Sequence, residues 1–267
     1  ELGGAHIDRY LKMNAVKPTN PPNMRSLRKF EAGNLWENIV GYVLRRAGIL
    51  QCRQEQLRYQ YPGLCMVSGK QDFVAGGHPN YDEAKAAIEK EFNWLPEFVS
   101  RATKQIVERL QAQYPNGLED IVLEIKSCSS LMFENYERNN TATPQHVLQA
   151  FHYLKCKNLP EAHIVYICKD DCRMLEIPIF LDCHETEAAY RRDITDMTYF
   201  VKNKVEPPKE NNLVFDKQFK RFSANYKVAY SNYLTHLYGF ENQMEFDDNF
   251  KPLAERFNRV IGRMAEG

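Results

Sequence analysis

The chain has 267 residues, 43% of them hydrophobic and 26% charged, with 35 basic against 35 acidic side chains. This is ordinary globular composition, long enough for a sizeable core. With no net charge, a polyelectrolyte partner is not announced by bulk electrostatics, and any phosphate-binding surface has to be local. No apolar run approaches the ~18 residues of a membrane span, so no membrane partner is expected. The first residues lack a basic-then-apolar leader pattern, and the chain opens on Glu1 rather than Met, as a trimmed sequence would. Seven cysteines at irregular spacings, one of them Cys168 inside the apolar run IVYICKDD, read as reduced thiols. They point to an intracellular, reducing compartment rather than to a disulfide framework.

In chain order, residues 1–24 read as loop, with KPTNPPN as a breaker cluster. A helix is predicted over 27–48, ending near Gly48. Two strands follow, EQLRYQYP and LCMVSGKQDFVA, the second stopped by Gly76-Gly77 and Pro79. Residues 80–113 carry Ala84, Ala87, Ile88 and Phe92, then Ile106, Val107 and Leu110 at helical spacing, and form a helical insertion. YPNG is a turn, and a strand is predicted over 120–128. Thr143-Pro144 opens a helix that runs to about 157, with Thr as N-cap and Pro at the first helical position. HIVYIC and RMLEIPIF, joined through KDD, read as a hairpin. From 184 onward the pattern is mostly helical, with breaks at Pro207-Pro208 and near Gly239. The expected class is α/β, a central mixed β-sheet flanked by helices, with a core over 1–183 and a helical carboxy-terminal region over 184–267.

Four patterns carry chemistry. In the strand DIVLEIKSC, Glu124 and Lys126 share a face with Val122, while Leu123 and Ile125 face the other way. A buried carboxylate needs a partner or a metal, although an E-x-K pair alone also fits a salt bridge on a half-exposed strand. Asp72 sits in a strand-like stretch three residues after Gly69, where Asp is disfavoured. It is tolerated there by a bound cation, or simply by exposure at a strand end. Gly33, Glu37 and Gly41 lie four apart and form one stripe on the first helix. The alternative is that Gly33 precedes the helix and Glu37 is solvated. Gln145, Gln149, His152 and Tyr153 make the polar face of the helix at 144–157, either a surface face or a contact for a phosphate backbone.

Taken in order, Gly33-x3-Glu37, Gly69-x2-Asp72, Glu124-x-Lys126 and Gln149-x3-Tyr153 resemble the PD-(D/E)xK nuclease superfamily. Within it, the chain looks most like the RecB-type and phage-recombination exonuclease branch. The resemblance covers residues 27–182 and implies a restriction-endonuclease-like core. It also implies that Asp72, Glu124 and the main-chain carbonyl of Ile125 hold Mg²⁺ or Mn²⁺. Glu37 would then assist through water or at a second ion, and Lys126 would orient and activate the attacking water. Gln149, Tyr153 and Gln145 would engage the substrate. The implied function is a metal-dependent DNA nuclease, an exonuclease of DNA recombination, repair or phage DNA processing in a bacterial or phage-infected cytoplasm. A structure-specific or restriction-type endonuclease and a catalytically silent DNA-binding module are the alternatives.

Two departures stand out. Many RecB-like members carry His where this chain has Glu37. Some bind an iron–sulfur cluster, but Cys52, Cys168, Cys172 and Cys183 lack the tight C-x2-C spacing expected of one, so no cluster is expected. Two further features bear on substrate. The insertion at 80–113 is expected to stand as a wall over the site and to require a free DNA end. The run KQFKRFSANYKVAYSNYLTHLY, with Lys217, Lys220, Arg221 and Lys227, reads as an amphipathic helix packing an aromatic face, with its cations open to a single strand.

Overall fold

The computed structural model describes residues 2–92, 97–216 and 220–266. Among the described residues the elements are, in order, α1 (His6–Met13), α2 (Met24–Arg46), β1 (Leu50–Arg53), β2 (Gln56–Tyr59), β3 (Val67–Lys70), β4 (Phe73–Gly77), α3 (Tyr81–Glu91), α4 (Glu97–Gln113) and β5 (Leu118–Cys128). Then follow α5 (Ser130–Asn139), α6 (Pro144–Lys157), β6 (Glu161–Cys168), β7 (Met174–Phe180), α7 (His184–Asn203), β8 (Leu213–Asp216), β9 (Arg221–Ala224), α8 (Tyr226–Ala229), α9 (Leu234–Tyr238) and α10 (Gln243–Glu266). None of these helices is long and apolar enough to cross a membrane. The chain divides into one unit of Glu1–Leu2 and Ser26–Thr195 and a second of Gly3–Arg25 and Asp196–Gly267. The boundary therefore falls inside α7 rather than at 183, and the second unit also takes in Gly3–Arg25.

The first unit is an α/β fold around a five-stranded mixed sheet in the order β1-β4-β5-β6-β7. Strands β1, β4 and β5 are antiparallel neighbours, β5 and β6 are parallel, and β6–β7 is the expected antiparallel hairpin. Parallel pairing demands a long crossover, and α5 and α6 supply it. Alternation along β5 divides the core. Ile121, Leu123 and Ile125 join the layer of α2, α3 and α4, and Val122 joins the layer of α5, α6 and α7. Glu124 and Lys126 thus belong to the α6 side of the sheet. Helix α6 starts where Thr143-Pro144 says it should, but the Thr143 hydroxyl meets Tyr136 Oη at 2.9 Å instead of capping. Asn158 closes the helix in the left-handed region.

Three expectations change. The stretch 64–75 is not one strand. It is β3, paired with β2 in a separate two-stranded sheet, then β4 in the main sheet, with Gln71-Asp72 as the crossing point. Helix α1 forms where loop was expected, and β1 and α5 fill stretches for which no element was predicted. The insertion does not stand over the site either. It leaves β4 at Gly77 and re-enters at Leu118, and these two residues are paired. That end of the strands lies five residues, about 17 Å, from Asp72. Its side chains Ala84, Ile88, Ala102, Ile106 and Val107 pack in the α2 layer, on the opposite face of the sheet from Glu124 and Lys126.

In the second unit, α1 packs Ile7 and Leu11 with Tyr233 and Leu237. Phe246 of α10 packs with Val228, Ala229 and Leu234. The expected long helix over 217–238 is replaced by β9, α8 and α9, and Lys217 and Phe219 lie outside the described residues. Local side chains explain the breaks. Asn225 Oδ1 accepts from the Lys227 N–H, and Ser231 Oγ accepts from the Tyr233 N–H. Such bonds compete with helix continuation. Tyr226 and Tyr230 end up exposed and only Tyr233 is deeply buried, so the aromatic residues do not form one core face.

Candidate active site

The site begins where β4 ends and β5 does not. Phe73 is the first residue of β4 and pairs with Leu123, whereas β5 runs on to Cys128 with β6 alone beside it. On the open edge, Asp72 replaces the missing strand. Its Oδ2 accepts from the Ile125 N–H at 2.8 Å, and its own main-chain carbonyl accepts from the Gln54 N–H at 2.9 Å. Asp at this point leaves the strand and satisfies a backbone donor with its side chain. Because the N–H and C=O of one strand residue point to the same edge, the Ile125 carbonyl also faces the edge that Asp72 occupies.

Glu124 and Lys126 project together, as the alternation required. The Lys126 Nζ donates to Glu124 Oε1 at 2.5 Å; the Glu124 side chain is 1% exposed and that of Lys126 23%. Among the described residues the other carboxylate oxygen of Glu124, Oε2, is buried with no hydrogen bond of regular geometry, although the Asp72 N–H comes close enough to the carboxylate to favour its charged form. Burial, reinforced by the charge of Glu124, pushes the Asp72 carboxyl up to about 8, against Lys126 and the Ile125 N–H. Glu124 is also raised, by burial above all, although Lys126 opposes it. One ammonium therefore serves two buried carboxylates, and the pair is short of positive charge.

Glu37 adds to the deficit. Helix α2 takes in Gly33, so the Gly33-Glu37-Gly41 stripe is real. A Cβ at Gly41 would lie 2.8 Å from the Phe73 ring, and one at Gly33 would lie 3.6 Å from Ser127 Oγ. The stripe thus lies along the sheet from Phe73, next to Asp72, to Ser127, next to Lys126. The charge of Glu37 helps raise both Asp72 and Glu124. Its Oε1 is held by Gln54 Nε2 at 2.6 Å and faces Arg53 Nη2 at 3.4 Å. Among the described residues, no three His, Cys, Asp or Glu side chains gather closely enough to hold a metal. The groups at this edge that could contribute to holding a cation are the Asp72 and Glu124 carboxylates and the Ile125 carbonyl. Two hard carboxylates plus a carbonyl suit a divalent ion that keeps part of its water shell.

Helix α6 departs from expectation. His152 and Tyr153 are buried, not on a surface face, because α6 is covered on both sides. His152 Nδ1 meets Tyr190 Oη at 2.8 Å. The Tyr153 hydroxyl donates to the Lys70 carbonyl at 2.8 Å and accepts from Gln149 Nε2 at 3.0 Å. Gly69 makes room for it, since a Cβ there would lie 2.8 Å from the Tyr153 ring. Gln149 and Tyr153 therefore fix the backbone two residues before Asp72. Gln145 is half-buried one turn before Gln149.

Three residues at the site were not anticipated. Gln54 and Arg53 arrive from the end of β1, a strand too short to announce itself. His146, on α6, places Nδ1 2.8 Å from Tyr166 Oη. Its imidazole is pushed down to about 3 by burial and then by the Lys126 charge, and so is neutral. Its only sequence signal was its position three residues before Gln149. All seven cysteines are free thiols. Cys168 is buried in the α6 layer and Cys172 in the α2 layer, on opposite faces of the sheet.

No family model matches the chain, and no curated protein matches it. Among solved structures, one described as "Crystal structure of SSO0001" is similar at 15% identity, over 74% of this chain and 72% of that one, with a TM-score of 0.38.

Proposed function

We propose that this chain is a metal-dependent deoxyribonuclease acting at the open edge of β5. The observation that carries the reading is the buried Asp72–Glu124 pair, with Glu124 Oε2 in no regular hydrogen bond among the described residues and Lys126 the ammonium that pairs with it. The ordered motifs that resemble the PD-(D/E)xK superfamily support the same reading. Asp72, Glu124 and the Ile125 carbonyl would hold Mg²⁺ or Mn²⁺. Such an ion supplies the missing positive charge and stabilises charge on the phosphoryl oxygens. Lys126, whose Nζ is held by Glu124 on a partly exposed side chain, orients the attacking water. Glu37 acts at one remove, through Gln54 and Arg53 or a bridging water. Gln149 and Tyr153 act as positioning residues for the segment that bears Asp72.

The finer reading, an exonuclease of DNA recombination, repair or phage DNA processing, rests on the Q-x3-Y resemblance. The insertion does not contribute to it, because it lies at the far end of the strands. The test is digestion of linear and covalently closed circular DNA, single- and double-stranded, with Mg²⁺, Mn²⁺ or EDTA. Expected are metal-dependent loss of linear forms, intact circles, and loss of at least about three powers of ten in rate for Glu124→Gln and Lys126→Ala. Cutting of circles would transfer the assignment to an endonuclease. Activity that persists in EDTA or in both variants would remove this site from the chemistry.

A further inference from the structure

Helix α2 extends well beyond what the fold covers. From Trp36 onward its inner face is core, but from Leu27 to Phe30 it is exposed. Phe30 is 56% exposed and Leu27 44%. Isolated exposed apolar side chains need no explanation, but these two are one turn apart, and Arg28 and Lys29 project from the other sides of the same turn. Those two cations are exposed and make no hydrogen bond or ion pair among the described residues; within four residues of them in the sequence the one acid is Glu31, a turn after Arg28. Placement adds the decisive constraint. Phe30 is seven residues before Glu37, two turns along the same stripe that carries Gly33 and Glu37, and so about 10 Å from Glu37 along the axis. Gly33, between them, abuts Ser127, the residue after Lys126.

We infer that the Leu27–Phe30 turn of α2 is a docking face for single-stranded DNA that enters or leaves the β5 edge. The inference rests on the nuclease reading for its substrate class and deepens it. An uncompensated aromatic ring next to two free cations matches the chemistry of a single strand. A base stacks on Phe30 while adjacent phosphates meet Arg28 and Lys29. A duplex presents no unstacked base face for the ring. The carboxylates of the site repel phosphate, so a cationic approach two turns away offsets that repulsion for the strand as a whole.

The test is fluorescence anisotropy of a fluorescein-labelled oligothymidylate in EDTA, repeated over a salt series. Phe30→Ala should weaken binding about tenfold, and Phe30→Trp should restore or improve it. The double variant Arg28→Gln/Lys29→Gln should lower the slope of log affinity against log salt by about 1.4, two phosphate contacts on a single strand. All four changes are at exposed positions, so melting temperatures should match the wild type. Unchanged affinity in Phe30→Ala and an unchanged salt slope would overturn the inference. So would sedimentation in which the wild type self-associates through Phe30 while its DNA affinity stays the same, since the face would then belong to a second copy. The two readings fail separately. Phe30-dependent binding without metal-dependent cleavage sinks the nuclease and keeps the surface. Cleavage with binding and KM indifferent to Phe30 sinks the surface and keeps the nuclease.

Discussion

Replacing Asp72 by Asn should make the metal-free protein more stable. The Asp72 carboxyl is raised from 3.8 to about 8 by burial and by the charge of Glu124. A carboxyl whose folded-state pKa is raised contributes fully below its ordinary pKa, and the contribution is lost as pH climbs toward the raised value. Each pH unit in that window costs the folded state about 1.4 kcal/mol. By about pH 7 the deficit reaches about 4 kcal/mol, and it belongs to the coupled Asp72–Glu124 pair rather than to either residue. An Asn side-chain oxygen keeps the bond from the Ile125 N–H, so little else changes.

Urea unfolding in EDTA provides the assay. The advantage of Asp72→Asn over the wild type should grow as pH rises from about 5 to about 8 and level off above that. Mg²⁺ should narrow the gap by stabilising the wild type, about 2.7 kcal/mol at a hundredfold excess over Kd, while leaving Asp72→Asn unmoved. A variant less stable than the wild type in EDTA near pH 7.5 would refute the reasoning. Equal stabilisation of both proteins by Mg²⁺ would refute it too.

Tyr153→Phe removes the donor to the Lys70 carbonyl and the acceptor for Gln149; thermal melts should show a loss of about 1–2 kcal/mol. Gly41→Ala gains about 1 kcal/mol of helix propensity, but its Cβ would meet the buried Phe73 ring at 2.8 Å. Overpacking should win, with a net loss of about 1–2 kcal/mol in urea unfolding. Burial lowers the pKa of His163, but its bonds to Glu176 and Glu161 more than reverse this, and Glu176 is lowered in turn by His163. The wild-type advantage over His163→Gln should therefore be largest between about pH 5 and 6, about 2 kcal/mol for a charged hydrogen bond. It should shrink as pH rises past about 6.5 through the raised imidazole value, and as pH falls through the lowered value of Glu176.

What the sequence made legible was local. Strand β5 declared itself through alternation, α6 through Thr143-Pro144, and the β6–β7 hairpin through its turn. The face shared by Glu124 and Lys126 follows from the two-residue period alone. What stayed hidden depends on non-local pairing. The break at Gln71-Asp72 exists because β3 and β4 belong to different sheets, which no periodicity within 64–75 reveals. Gln54 and Arg53 reach Glu37 only because β1 pairs with β4. On α6, Gln149, His152 and Tyr153 have the composition of a solvated face. They are tolerated inside because Lys70 and Tyr190 supply their partners, and a sequence does not display its partners.

The same crossing point explains how a destabilising carboxylate is kept in place. Between Lys70 and Phe73 the chain passes from the small sheet to the large one, and three contacts fix it there: Tyr153 Oη to the Lys70 carbonyl, the Gln54 N–H to the Asp72 carbonyl, and the Ile125 N–H to Asp72 Oδ2. Two of them involve only main chain or a buried tyrosine, so they persist whatever the protonation state of Asp72. The remaining freedom of the carboxylate is small, and its distance to Glu124 is set by the β4–β5 register rather than by attraction between the side chains. Carboxylates held together against their own repulsion gain the most from a divalent cation, because the entropy and repulsion of assembling them are already met by the fold. On the proposed metal-dependent reading, the Q-x3-Y helix would contribute to metal affinity without touching the metal. Loss of the Tyr153 hydroxyl should therefore appear first as weaker Mg²⁺ stabilisation of the folded state and only second as a slower reaction.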